Sequence, residues 1–279
     1  MVTIESPAMR RVRLAIIAIG LASTAAAQTD HVARYETRVY EGATGPRLNY
    51  RLFRPESYDA SRRYPLIVYL HGVGGSGADN LKQLTGGNVW ATRLFSSPEV
   101  QQSHPSFVLV PQINPGPFPD GWGGFVGRAR AGIEFLPEPA DEPIDRLIGL
   151  IDSLGAEFNL DTQRIYVTGQ SMGGYGTWAV ITRYPDRFAA AVPICGGGDS
   201  SAAARIGVPV WAFHGADDKT VPVEQSRSMV NALKAAGAEP RYTEYPGVGH
   251  NSYEKAFSDP ELVEWLFTHR AHNRTQSPR

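Results

Sequence analysis

The chain has 279 residues, of which 42% are hydrophobic and 20% charged, and its formal net charge is -1. This composition suffices for one large globular core and is unlike that of a disordered or collagen-like chain. A balanced charge without a basic block also excludes nucleic acid as an expected partner.

The first 27 residues have the pattern of a secretory signal peptide. Arg10, Arg11 and Arg13 are positively charged, Leu14–Ala22 is apolar, and Ala25–Ala27 offers a small-residue cleavage site. The apolar run is about half of the roughly 20 residues that a membrane-spanning helix needs, which favours cleavage over an uncleaved anchor. We therefore expect an exported protein, periplasmic or secreted, without stable membrane insertion, whose single domain covers residues 28–279.

From Tyr35 onward, strand-like and helix-like segments alternate. The predicted strands are Tyr35–Glu41, Leu48–Arg54, Leu66–Leu70, Phe107–Val110, Ile165–Thr168, Ala189–Ile194, Val208–Phe213 and Tyr242–Tyr245. The predicted helices are Ala140–Phe158, Met172–Tyr184, Val223–Ala236 and Pro260–Arg270. Alternation of this kind predicts an α/β fold with a mostly parallel central sheet and helices on both faces.

One long segment, Pro111–Pro139, interrupts this alternation. It is rich in Pro and Gly and carries Phe118, Trp122, Phe125 and Phe135. A loop of this length inside a compact domain is usually either functional or disordered. Its aromatic residues either cover a pocket, in which case Trp122 would bind substrate, or anchor the loop to the core.

The motif Gly169–Gly173 reads Gly-Gln-Ser-Met-Gly and follows a predicted strand directly. A helix is predicted after it, so Ser171 would lie on a tight strand-to-helix turn. Such a turn strains the backbone of the serine, and small residues two positions before and after it avoid clashes. The pattern is typical of the nucleophile elbow in the α/β-hydrolase fold.

A serine hydroxyl is a weak nucleophile near neutral pH and needs a base, which a third group must orient. In this fold the acid and then the histidine follow the serine along the chain. His250 lies in a glycine-rich loop just after a predicted strand and is the predicted base. Asp217 and Asp218 both follow another buried strand, and their chemistry alone does not distinguish them.

An acyl-transfer site also needs two N–H donors for the oxyanion. The residue after the nucleophile, Met172, supplies one of them. The second is expected in the loop after the first buried strand, where Val73 is the candidate and Gly72 its competitor.

Other motifs in the chain predict no cofactor and no metal ion. Gly74, Gly75 and Gly77 resemble a phosphate-binding loop, but no Gly-Lys-Ser/Thr follows them. The chain has no Cys pair, and its one cysteine, Cys195, follows an apolar run, so a buried small hydrophobe is expected there. His71 and His214 each precede a glycine at a strand end, where we expect a structural role.

Three stretches together make the chain similar to exported bacterial esterases of the α/β-hydrolase superfamily. They are Leu70–Gly72, Gly169–Gly176 and Ala212–Asp218. This group includes predicted peptidases and phospholipase/carboxylesterase-like and dienelactone-hydrolase-like proteins, and it lies near esterases of plant polysaccharides. The resemblance covers Tyr35–His269, and it implies Asp218 as the acid, because that residue is the fifth of His-Gly-x-x-Asp.

The resemblance also implies a serine hydrolase that cleaves carboxylic esters through an acyl-enzyme. Short-chain acyl, acetyl and feruloyl esters, either small molecules or linked to polysaccharide, are the expected substrates. A serine peptidase of the same fold is the alternative, and a non-catalytic binding protein on this scaffold is a third hypothesis.

Overall fold

The structure is a computed structural model that describes residues 31–42, 47–113, 121–122 and 143–271. The predicted signal peptide and most of the predicted Pro111–Pro139 loop, including Phe118, Phe125 and Phe135, lie outside these residues. Among the described residues, no helix is both long and apolar enough to cross a membrane.

The strand-like segments of the described chain form one eight-stranded sheet in the order β1-β2-β4-β3-β5-β6-β7-β8. The strands are β1 (Glu36–Tyr40), β2 (Leu48–Phe53), β3 (Tyr64–Leu70), β4 (Phe107–Gln112), β5 (Leu160–Gln170), β6 (Ala190–Ile194), β7 (Trp211–Gly215) and β8 (Arg241–Tyr245). β2 pairs antiparallel with β1 and β4, and every other neighbouring pair is parallel. The predicted mostly parallel sheet is confirmed.

Both faces of the sheet are covered, which explains why strands such as β3 and β6 are rich in apolar residues. All seven residues of β3 are buried. Successive side chains of a strand point to opposite faces, so Leu66 and Val68 enter one hydrophobic cluster, whereas Ile67 and Tyr69 enter the other. The sheet is therefore sandwiched between two cores.

Seven α-helices lie wholly within the described part of the chain, in addition to the helical residues 31–33 at its start. They are α1 (Val89–Ser96), α2 (Pro98–Ser103), α3 (Pro143–Glu157), α4 (Met172–Arg183), α5 (Glu224–Ala235), α6 (Ser252–Ala256) and α7 (Leu262–Thr268). The four predicted helices correspond to α3, α4, α5 and α7. No pattern in the sequence predicted the short helices α1, α2 and α6.

The strand predicted at Val208–Phe213 is displaced toward its C-terminal end. The structure begins β7 at Trp211 and continues it to Gly215. Pro209 has no N–H for the ladder, and Val210 forms only an isolated bridge to Ala191. At its other end, β7 includes His214.

The parallel register brings the carboxyl ends of the central strands to one edge. Leu70 of β3 lies opposite Gly169 of β5, and Ile194 of β6 lies opposite Gln170. The residues that follow these strands therefore meet at this edge, as the predicted site requires.

Candidate active site

Ser171 occupies the turn between β5 and α4 in a strained backbone conformation. Its φ is +56° and its ψ is -118°, in the left-handed region that side chains rarely adopt. Its N–H donates to the carbonyl oxygen of Ile194 at 2.9 Å. A Cβ added at Gly173 would lie 1.9 Å from the carbonyl oxygen of Leu70, so this position requires glycine.

The structure brings Ser171, His250 and Asp218 together in one chain of hydrogen bonds. His250 Nε2 lies 2.8 Å from Ser171 Oγ, and His250 Nδ1 lies 2.7 Å from Asp218 Oδ2. A carboxylate only accepts hydrogen bonds, so Nδ1 carries the imidazole proton and Nε2 accepts the serine hydroxyl. In this tautomer the imidazole is ready to take the proton of the serine.

Asp218 is the acid because its side chain is buried and faces His250. Its Oδ1 accepts hydrogen bonds from the N–H groups of Thr220 at 2.8 Å and Val221 at 2.9 Å. Burial raises the pKa of Asp218, but hydrogen bonds from His214, His250 and Val221 outweigh it and hold that pKa well below its usual range. The carboxylate is thus ionised at neutral pH.

Asp217, the other candidate, is exposed. The ambiguity between the two adjacent aspartates is resolved by their burial, because Asp218 alone of the pair contacts the imidazole. If Asp218 is the acid, Asp217 would be expected to hold the loop by side-chain hydrogen bonds to its N–H groups; this expectation is wrong, because Asp218 Oδ1 makes those bonds as well.

The loop after β3 forms a short 3₁₀ turn, Val73–Gly75. The N–H of Gly72 donates to Asn88 Oδ1 at 3.1 Å, so this competitor for the oxyanion is already engaged. The carbonyl oxygen of Gly72 accepts from His71 Nδ1 at 2.8 Å and from the Gly75 N–H at 2.9 Å. Because a trans peptide points its N–H opposite to its C=O, these contacts turn the Val73 N–H the other way.

The N–H groups of Val73 and Met172 donate no hydrogen bond to another residue in the described part of the chain. Met172 is the first residue of α4, whose initial N–H groups have no acceptor within the helix. Both predicted oxyanion donors are therefore available to a ligand.

His71 is a fully buried neutral histidine that shapes this loop. Its Nδ1 donates to Gly72, and its Nε2 accepts from the N–H of Ile113 at 3.2 Å. Burial lowers the pKa of His71 to about 4. The structural role expected for a strand-end histidine is confirmed here.

The prediction that Trp122 binds substrate is wrong, because its side chain is fully buried. Its Nε1 donates to the carbonyl oxygen of His71 at 3.3 Å, and its ring packs edge-on against the His71 imidazole at 5.4 Å. A Cβ at Gly176 would come within 2.4 Å of Trp122 Cβ. Trp122 is thus a core residue that supports the oxyanion loop and does not contact substrate.

Asn88 is a residue of the site that the sequence did not indicate. Its Oδ1 accepts from the Gly72 N–H and from the Tyr69 hydroxyl, each at 3.1 Å. It lies in a 3₁₀ turn before α1, and no local motif marks its long-range contact.

Cys195 lies beside the triad and is fully buried, as predicted. Its sulfur, a carboxylate oxygen of Asp218 and a ring nitrogen of His250 lie within 4.8 Å of one another, a grouping that could hold a metal ion. Burial raises the pKa of the thiol to about 12, so it stays protonated. The two ring nitrogens of His250 already contact Asp218 and Ser171. These contacts suit the transfer of a proton from Ser171 to His250 rather than the binding of a metal ion.

A strained serine after a parallel strand, linked through histidine to a buried aspartate, is the arrangement of a serine hydrolase with the α/β-hydrolase fold. Residues 133–261 match the family model described as Dienelactone hydrolase family. The crystal structure of a thermostable esterase superposes with a TM-score of 0.76 at 38% identity, covering 86% of this chain and 64% of that one.

Two curated relatives are also similar. A probable carboxylesterase SOBER1-like of Arabidopsis thaliana is 28% identical over 219 residues, 72% of this chain and 77% of the plant protein. An uncharacterized secreted protein of Arthroderma benhamiae is 32% identical over 115 residues, 30% of this chain and 12% of the fungal protein. The chain thus spans less than two thirds of the thermostable esterase and a small part of the fungal protein. This chain has the α/β-hydrolase fold and is similar to esterases of that superfamily.

The adjacent aspartates provide a matched pair of variants. Asp218→Asn should lower kcat on a nitrophenyl ester by about 10⁴-fold, because an amide cannot hold the His250 tautomer that accepts the serine proton. Asp217→Asn should leave kcat within about twofold of wild type, since this side chain is exposed. Equal losses in the two variants, measured by steady-state kinetics, would contradict the assignment.

The buried His71 predicts a pH dependence of stability. Between pH 6.5 and pH 4 the unfolded chain binds a proton at this histidine and the folded chain does not. The free energy of unfolding should therefore fall as the pH is lowered through this window, by up to roughly 3 kcal/mol from this residue. Urea unfolding of wild type and His71→Gln at several pH values isolates the effect, and the slope should be shallower in the variant. Parallel slopes would show that His71 does not titrate this way.

Proposed function

We propose that this protein hydrolyses carboxylic esters through a covalent acyl-enzyme on Ser171. The observation that carries the proposal is the unbroken hydrogen-bonded chain from Ser171 Oγ through His250 to Asp218. The Ser171 oxygen attacks the ester carbonyl carbon while His250 Nε2 takes the hydroxyl proton. Asp218 keeps the ring in its tautomer and stabilises the imidazolium that forms.

The tetrahedral intermediate then collapses and the C–O bond to the alcohol breaks. His250 gives its proton to the departing alkoxide, and the acyl group stays on Ser171. A water molecule attacks the acyl carbonyl in the second half, with His250 again as the base, so that the carboxylic acid leaves and Ser171 regains its proton.

The N–H groups of Met172 and Val73 stabilise the oxyanion in both halves. Val73 is turned to this task by the hydrogen bonds on the Gly72 carbonyl, and Met172 by its place at the start of α4. Losing one such donor typically costs about 10²–10³ in turnover, or about 2.7–4 kcal/mol.

The proposed substrates are short-chain acyl, acetyl or feruloyl esters, either free or attached to a polysaccharide. Similarity to a plant carboxylesterase supports ester hydrolysis, and a triad alone does not separate esters from amides. A serine peptidase is therefore the alternative that the test must address.

Export to the periplasm or the medium is a second part of the proposal. Residues 1–27 support it, because a charged segment is followed by an apolar run and then by small residues. Similarity to a secreted fungal protein also supports it. Mass spectrometry of the exported protein should find its first residue near Gln28, and a mature protein that retains residues 1–27 would contradict signal cleavage.

A substrate panel with Ser171→Ala tests the proposed reaction. Wild type should hydrolyse at least one of nitrophenyl acetate to octanoate, methyl ferulate and acetylated xylan, and the variant should lose on the order of 10⁶ in kcat. Ser103→Ala, an exposed serine on α2, serves as the control and should behave as wild type.

Two results would overturn this proposal. Unchanged turnover in Ser171→Ala would rule out the acyl-enzyme. Hydrolysis of a peptide anilide with no ester hydrolysis would replace the esterase by a peptidase.

A further inference from the structure

A second histidine, His214, also contacts the catalytic acid. It belongs to β7, and its side chain is fully buried. His214 Nε2 lies 3.3 Å from Asp218 Oδ2, the same oxygen that accepts from His250, and 3.0 Å from the carbonyl oxygen of Val221. The two imidazoles therefore share one carboxylate oxygen.

The remaining contact of His214 reaches helix α5. Its Nδ1 lies 2.7 Å from Ser226 Oγ, and that hydroxyl lies 2.9 Å from the carbonyl oxygen of Gly196. Ser226 is buried as well. A line of contacts thus runs from the loop after β6, through α5 and β7, to the catalytic acid.

The position of one proton on His214 follows from what surrounds the ring. A carbonyl and a carboxylate can only accept, so Nε2 must carry a proton if its two contacts are hydrogen bonds. In a neutral ring, Nδ1 accepts from the Ser226 hydroxyl. In a ring protonated at both nitrogens, Nδ1 donates to the Ser226 oxygen, and the hydroxyl donates to Gly196. In both arrangements Nε2–H points at Val221 and Asp218.

We propose that His214 is a positioning residue for the catalytic acid Asp218. The Nε2–H of His214 holds the Asp218 carboxylate in place and draws part of the carboxylate charge away from His250. This inference rests on the proposed serine-hydrolase mechanism. Asp218 accepts hydrogen bonds from His250, Thr220 and Val221, and His214 Nε2 lies 3.3 Å from its Oδ2, so both carboxylate oxygens have polar groups around them.

Losing this contact has two consequences for catalysis. The carboxylate is held less firmly, so kcat falls. Without the His214 N–H, more of the negative charge of the Asp218 carboxylate acts on His250. His250 then becomes more basic, and a higher pH is needed to deprotonate it. The acidic limb of the pH profile should therefore move to higher pH, which loss of packing alone would not cause.

Other groups near His250 and His214 do not produce the same shift. Cys195, from the end of β6, stays a neutral thiol. Glu244 of β8 lies opposite His214 in the sheet and is paired with Arg227 of α5 at 2.6 Å. These groups are unchanged in the variants below.

The test compares His214→Gln with His214→Leu on an ester substrate, both variants having passed a thermal-unfolding check. The glutamine amide can restore a donor near the Nε2 position, and leucine cannot. His214→Leu should lose roughly 10- to 100-fold in kcat with little change in KM, and its acidic limb should move to higher pH. His214→Gln should keep the limb of the wild type and most of its kcat.

The inference is overturned if His214→Leu keeps the kcat and the pH profile of wild type. It is also overturned if the two variants lose the same share of kcat and the acidic limb of the pH profile stays in place, because loss of packing alone would produce that result. Failure of the proposed function is distinct, since it appears as wild type without Ser171-dependent hydrolysis.

One measurement needs neither a variant nor activity. Proton-coupled ¹⁵N spectra of the wild-type histidines should show a proton on His214 Nε2 at pH 7. A His214 ring with an unprotonated Nε2 would overturn the inference, whatever the kinetics of the variants.

Discussion

The active site depends on how closely α4 approaches the strands beside it. A side chain at Gly173 would collide with the carbonyl oxygen of Leu70, and one at Gly174 would come within 2.3 Å of that of Ile194. Glycines let the helix start directly against β3 and β6, and this contact holds Ser171 at its positive φ. The strain is local, whereas the packing that maintains it comes from the whole sheet.

Each catalytic group reaches the serine because its strand ends at the same edge. β3 leads to the oxyanion loop, β5 to the nucleophile, β7 to the acid, and β8 to His250. A parallel sheet makes this convergence a consequence of topology, and it places functional loops where strands end. The buried histidines then fix the loops: His71 sets the peptide that carries the Val73 N–H, and His214 contacts the acid.

The sequence was sufficient for the parts of this account that rest on local patterns. Apolar runs identified the buried strands, and the strand–serine–helix order identified the elbow at Ser171. The order of acid and histidine along the chain selected His250. Resemblance to known esterases was needed to prefer Asp218, because two adjacent carboxylates look alike until burial distinguishes them.

What the sequence could not predict depends on contacts between distant segments. Asn88 reaches the oxyanion loop from a turn with no motif, and Trp122 was expected at a pocket although it packs in the core against His71 and Gly176. The expected structural role of His214 did not include its contact with Asp218, which lies in the loop after β7.

The most direct test of the central claim is covalent labelling with a fluorophosphonate probe, followed by intact-mass measurement and peptide mapping. We expect one adduct per chain, on Ser171, because only a serine activated by its histidine displaces the leaving group rapidly. An unlabelled folded protein, or an adduct on a different residue, would contradict the account.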